Sequence, residues 1–176
     1  MFFVSDTEEH KRRRILEFAR REPMIAVLLA AANFEWTVGR CILFFGRSPN
    51  VHIRKDLENT HGLKRYADLW KAEICQHTPS TPPVNEVVRN WDKFSEAFQM
   101  RHRLIHGRGT CSAKMAVDPI NQMLSAVSDL YAFAAERRKD LNTRAPIRRK
   151  PKLVASGSLD MRGVVARAIP PLKRRQ

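Results

Sequence analysis

Cysteine is scarce in this chain: Cys41, Cys75 and Cys111 are the only three in 176 residues. An odd, widely spaced set excludes a disulfide framework and fits free thiols in a reducing compartment. Glycine is also sparse, and no glycine-rich loop of the kind that cradles a nucleotide phosphate is present, nor any serine-centred elbow. Metal-ligand clusters are missing as well. His52, His61 and His77 are scattered in loop-like stretches, and His102, His106 and Cys111 lack the paired frame of a zinc site, so neither metal nor other cofactor is expected. No segment alternates as a strand and no internal repeat is present. The longest apolar stretch, Met24–Phe45, is interrupted by Asn33, Glu35 and Arg40, which argues against a membrane span. The opening residues, Met1–Asp6, lack the charged start and long apolar core of a signal peptide. A cytoplasmic protein with no membrane association is expected.

Acidic residues are the other shortage, 18 against 32 Lys and Arg, for a net charge of +14. The imbalance is local. From Arg137 to the end there are 13 Lys/Arg and two Asp/Glu, a net of +11, which leaves only +3 for residues 1–136. A polycationic end suggests an anionic partner, nucleic acid before membrane surface, although such tails are as often merely solvated.

Helical signals fill the chain up to residue 142. Ser5-Asp6-Thr7-Glu8 has the capping-box pattern and opens a first helix ending near Arg21. Pro23 suits the first turn of a second helix, which stops at Gly46 and carries Ile25, Leu28, Ala32, Trp36, Gly39 and Leu43 as a stripe. After a polar loop, a third helix spans roughly 62–76 with Leu63, Tyr66, Leu69 and Trp70 on one face. Thr78–Pro83 breaks the pattern. A fourth helix runs from about Val84 to His106. Its stripe is Val84, Val87, Trp91, Phe94, Phe98 and Ile105, and Gly107 and Gly109 end it. Asp118-Pro119 reads as the cap and first residue of a fifth, with Met123, Val127, Leu130 and Ala134 inward. The expectation is an all-α bundle of four to five helices over residues 1–142, followed by a basic, flexible extension, 143–176.

Within this plain bundle, Arg101-His102-Arg103-Leu104-Ile105-His106 stands out. On an ideal helix Arg101 and His106 flank the apolar stripe about 140° apart, so one helix does not easily join their tips, whereas two facing copies could. The bland reading is a set of cations favoured near a helix C-terminus. Glu35, in an almost wholly apolar helix, must be paired if buried. It could orient Arg101 or His106, pair with Arg40, or reach solvent.

An arginine followed by a polar residue, three more residues and a histidine near a helix end resembles the Arg-x4-6-His signature of the HEPN superfamily. The preceding long helix with Asn33-Phe34-Glu35-Trp36 is similar to that family's second helix, and the likeness spans roughly residues 5 to 140. The resemblance implies a HEPN-like bundle that forms a homodimer, with Arg101 and His106 as the catalytic pair and His102 as their polar neighbour. It also implies a metal-independent endoribonuclease in a toxin or phage-defence setting, with a possible cognate antitoxin or defence-system partner. Some toxin members carry a tyrosine two residues after the histidine as a modification site; here that position is Arg108.

The chemistry suits those residues. RNA supplies its own nucleophile, the 2′-hydroxyl, and needs a base, an acid and a cation around the phosphate. Histidine can serve either proton role, and arginine can grip two phosphate oxygens. The expected products are 2′,3′-cyclic phosphate and 5′-hydroxyl ends. Arg103, Arg108, Arg148, Arg149 and Lys150 are expected to hold RNA backbone. The alternative is a HEPN-like module without catalysis that binds nucleic acid or a protein partner.

Overall fold

Helix starts and stops follow local hydrogen-bond chemistry in the computed structural model, which describes residues 6–78 and 80–149. Thr7 opens α1 (Glu8–Arg21) by accepting a hydrogen bond from the His10 amide, with Glu8 and Glu9 in the positive first turn. Ser5 lies outside the described residues. Pro23 begins α2 (Pro23–Phe45) as expected, because its missing amide is one the first turn cannot satisfy anyway. A nine-residue helix, α3 (Asn50–Glu58), occupies the link after it. The expected third helix is α4 (Leu63–Trp70), which widens into one π turn over Lys71–Cys75. Among the described residues every regular element is helical, as the all-α reading required.

The remaining helices depart from expectation in instructive ways. The fourth is two pieces, a single turn α5 (Val84–Val87) and then α6 (Trp91–Ile105). Between them Asn90 adopts a left-handed conformation, φ 54°, one of the few residue types that does so readily. Buried Asp129 pins this break, accepting from the Arg89 amide at 2.9 Å and from its guanidinium Nε at 2.8 Å. As a result Val88 and Leu104 are buried, while Ile105, assigned to the apolar stripe, is 51% exposed.

Helix α7 (Ala113–Glu136) begins six residues before Pro119, capped by the Ser112 hydroxyl at the Met115 amide, so Asp118 is not its cap. Pro119 lies inside the helix. Met123, Val127, Leu130 and Ala134 do face inward.

Helix α2 is the centre of the bundle, packed along α7, α1 and α6. Its expected stripe holds only in part: Gly39 is buried, and Leu28 and Leu43 pack against the core. Ile25 and Ala32 are exposed, whereas Ala26, Val27, Ala30, Ala31, Phe34, Val38, Cys41 and Ile42 are fully buried. A helix that is apolar nearly all round has no unique face to read, because neighbours cover several sides. Among the described residues it is the one helix long and apolar enough to cross a membrane, and 61% of its apolar window is buried inside the bundle.

Two aromatic groups lock the layers. Phe34 of α2 meets Phe94 of α6 at 4.4 Å and Phe98 at 6.0 Å between ring centroids. Phe133 of α7 touches both Phe45 and Trp70. Such pairs add about 0.5–1.5 kcal/mol each beyond area burial.

Residues 143–149 lie against the body rather than leaving it at 142. Arg40 donates to the Leu141 and Thr143 carbonyls. Asn50 donates to the Pro146 carbonyl and exchanges hydrogen bonds with the Arg148 backbone. The expected flexible extension from Lys150 onward lies outside the described residues.

Gly46 ends α2 where the chain is squeezed. A Cβ there would stand 2.5 Å from the Ile42 carbonyl oxygen and 2.9 Å from Ile53 Cδ1. Gly46→Ala is therefore expected to lower unfolding free energy by about 1–3 kcal/mol in urea titration, the usual range for overpacking.

Lys11 is a second test of the core. It is 1% exposed, its Nζ makes no hydrogen bond, and that atom sits 3.3 Å above the Trp36 ring. Burial lowers its pKa to about 8, against the pull of Asp6. Between that value and the ordinary 10.5 the unfolded chain holds the proton more tightly than the folded one. Lys11's contribution to stability therefore rises with pH across this window. Lys11→Met should be more stable than wild type at pH 7, with the gap narrowing between pH 8 and 10 in the same titrations.

Candidate active site

The Arg101–His106 segment forms the last turn of α6 and its cap. The helix ends in a Schellman arrangement: the Gly107 amide donates to the Leu104 carbonyl, and the Arg108 amide to that of Arg103. Gly107 has φ 63°, the left-handed geometry this ending needs. His106 is the cap residue itself, with φ −88° and ψ 11°, already off the helical path. His106 keeps the helical hydrogen bond of its amide to the His102 carbonyl, so it still projects from a different side of α6 than Arg101 does. In the folded chain both line one cavity of a single subunit.

That cavity measures about 550 Å³ and is bounded by His61, Leu63, Ser95, Phe98, Gln99, Arg101, His102 and His106. His102 and His106 stand edge to face, ring centroids 4.3 Å apart, as their i, i+4 spacing dictates. Phe98 contributes apolar floor. Its own position is fixed by Phe34 and Phe94.

Arg101 does not hang free. Its Nη2 lies 3.1 Å from Glu35 Oε1, and both side chains are about three-quarters buried, 24% and 21% exposed. Phe34 explains why Glu35 is there: it plugs into the aromatic ladder of α6, and the next residue emerges at the helix–helix edge. Burial raises the Glu35 carboxyl above its usual value, opposed by Arg101 and then His61. Tyr66 of α4 is buried alongside, its hydroxyl pushed up to about 12 by burial and then by Glu35, against Arg101. Of the three partners weighed for Glu35, Arg101 is the one it meets. Arg40 is occupied with backbone carbonyls.

The other candidates separate. Arg103 and Arg108 are exposed but are not part of the cavity wall. Arg149 is exposed, and Lys150 lies outside the described residues. Arg148 is engaged elsewhere, donating to the Leu43 carbonyl at 2.6 Å and the Ser48 carbonyl at 3.1 Å, where it satisfies the end of α2. Cys111 Sγ sits 3.7 Å from Met100 Sδ in the core. Among the described residues no group of three His, Cys, Asp or Glu side chains is placed to hold a metal ion.

His61, Ser95 and Gln99 were not foreseen. Ser95 and Gln99 share the face of His102 and His106, at i, i+4, i+7 and i+11 along α6, a spacing readable from sequence once the face is known. His61 lies forty residues from Arg101 and carries no local signal. Comparison with protein-family models, with curated proteins and with solved structures returns no match.

The position of His106 depends on the helix ending, and Gly107 can be tested directly. A Cβ there would meet nothing within 4 Å, so the only penalty for Gly107→Ala is the left-handed backbone, about 1–2 kcal/mol. Thermal unfolding should show that loss, and Gly107→Asn should recover part of it.

Proposed function

We propose that this protein is a metal-independent endoribonuclease of the HEPN type, cutting RNA by 2′-hydroxyl attack. The observation that carries the reading is the placement of Arg101, His102 and His106 on one cavity, with Arg101 held by Glu35. A phosphodiester entering that cavity meets a guanidinium that can hold its nonbridging oxygens and imidazoles that can accept or donate protons. Arg103, Arg108 and the basic residues toward the C-terminus supply sequence-independent attraction to the RNA backbone. The reading includes action on RNA in the cytoplasm as a homodimer, in a toxin or phage-defence role with a cognate antitoxin or defence partner. The +14 net charge and the family's habit of pairing its motifs support it.

One observation favours a second reading, a non-catalytic HEPN-like module that binds nucleic acid or protein. The Glu35 carboxylate offsets the charge of Arg101, and such a closed pair suffices to fasten α6 to α2 without any chemistry.

Labelled total RNA incubated in EDTA with wild type, Arg101→Ala and His106→Ala decides between them. Under the ribonuclease reading wild type yields 2′,3′-cyclic phosphate ends, and each variant is slower by at least about 100-fold, the usual worth of a proton-transfer group or a transition-state cation. RNA retained on the wild type but left uncut, with both variants binding equally well, establishes the module instead.

A further inference from the structure

Transesterification of RNA needs two proton transfers on opposite sides of one phosphorus. The 2′-oxygen loses its proton as its bond to phosphorus forms, and the 5′-oxygen gains one as its bond breaks. The cavity has two walls of different origin. One is the face of α6 with His102 and His106; the other is the turn from α3 into α4, which brings His61 and Leu63. His102 and His106 stand edge to face on the same wall, ring centroids 4.3 Å apart, which leaves no room for a phosphate between them.

The turn bearing His61 is tied down. The Thr60 hydroxyl donates to the Asp56 carbonyl at 2.7 Å, its amide donates to the Leu57 carbonyl, and the Asn59 side chain donates to the Lys55 carbonyl. Gly62, with φ 83°, then redirects the chain into α4. His61 itself is exposed at the cavity edge and close enough to feel the Glu35 carboxylate that holds Arg101. A fixed backbone carrying an accessible imidazole on another element of the same cavity is what a paired acid and base require.

We propose that His61 is a catalytic residue of this cavity and forms with His106 the acid–base pair that flanks the scissile phosphate, one taking the 2′-proton and the other supplying a proton to the 5′-oxygen, while Arg101 holds the nonbridging oxygens. The assignment rests on the ribonuclease reading above. It places both proton-transfer groups within one subunit.

The test uses a short RNA with an ordinary 5′-oxygen at the cut site and its twin with a bridging 5′-sulfur. Sulfur departs without protonation, so loss of the acid is rescued by the twin and loss of the base is not. Full-length wild type, His61→Gln, His102→Gln and His106→Gln are compared in EDTA, with thermal unfolding as the check on folding. His61→Gln and His106→Gln are each expected to slow cleavage of the oxygen substrate by at least about 100-fold. One of the two, and not both, regains wild-type rate on the sulfur twin. An active wild type with His61→Gln within about threefold of it, or with both or neither variant rescued, overturns the pairing and leaves the ribonuclease reading standing. A wild type that cuts neither substrate nor total RNA overturns the ribonuclease reading and the assignment together.

Discussion

The burial of α2 is the constraint from which the rest of the structure follows. A 23-residue helix with apolar side chains on nearly every side cannot rest on a surface; it must be enclosed, and α1, α6 and α7 enclose it. Enclosure decides what the few polar residues of α2 can do. Thr37 returns its hydroxyl to the Asn33 carbonyl one turn back at 2.7 Å. Arg40 reaches the end of the bundle and gathers backbone carbonyls there. Glu35 finds Arg101. The Asn33 side chain, 1% exposed, has neither its Nδ2 nor its Oδ1 hydrogen-bonded, a standing cost in the middle of the core.

The candidate site is a by-product of how α6 is seated against this central helix. Three features set its pose: the Asp129 clamp at its start, the Phe34–Phe94–Phe98 cluster along its length and the glycine ending at its finish. The first two lie outside the arginine–histidine segment and the third closes on its carbonyls, and together they set where that segment points. The cavity is therefore formed by packing, and Arg101, His102, His106 and His61 are the ionisable side chains that packing leaves along it.

Much of this was legible in the residues. Pro23 and Gly46 bounded α2 to the residue, and the inward face of α7 followed its period from Met123 to Ala134. Failure came where tertiary contacts overrode local pattern. The break at Val88–Asn90 exists because Asp129, forty residues away from Arg89, captures its amide. Nothing between Val84 and Ile105 announces it. The start of α7 was missed because Asp118-Pro119 is a good cap in isolation, while Ser112 caps six residues earlier. At the site, Arg101, His102 and His106 could be named from spacing and resemblance, but His61 enters only through the fold of the α3–α4 turn. The stripe on α2, right at Gly39 and wrong at Ile25 and Ala32, has its own cause, since periodicity identifies a face only when another face is polar.

Under the proposed reading, the Glu35–Arg101 pair matters for orientation more than for stability. With both side chains largely withdrawn from water, desolvation outweighs mutual attraction at the carboxylate, which is why its pKa goes up and not down. Such a pair is a poor source of folding stability but a good orienting device, since it fixes the guanidinium on one side and leaves its remaining donors to the cavity. A dianionic phosphoryl transition state would compete with Glu35 for that cation more strongly than a monoanionic ground state does. Under the ribonuclease reading, an arginine already positioned, and partly offset in charge until the transition state forms, would bind RNA less tightly at rest and spend more of its attraction on the reaction itself.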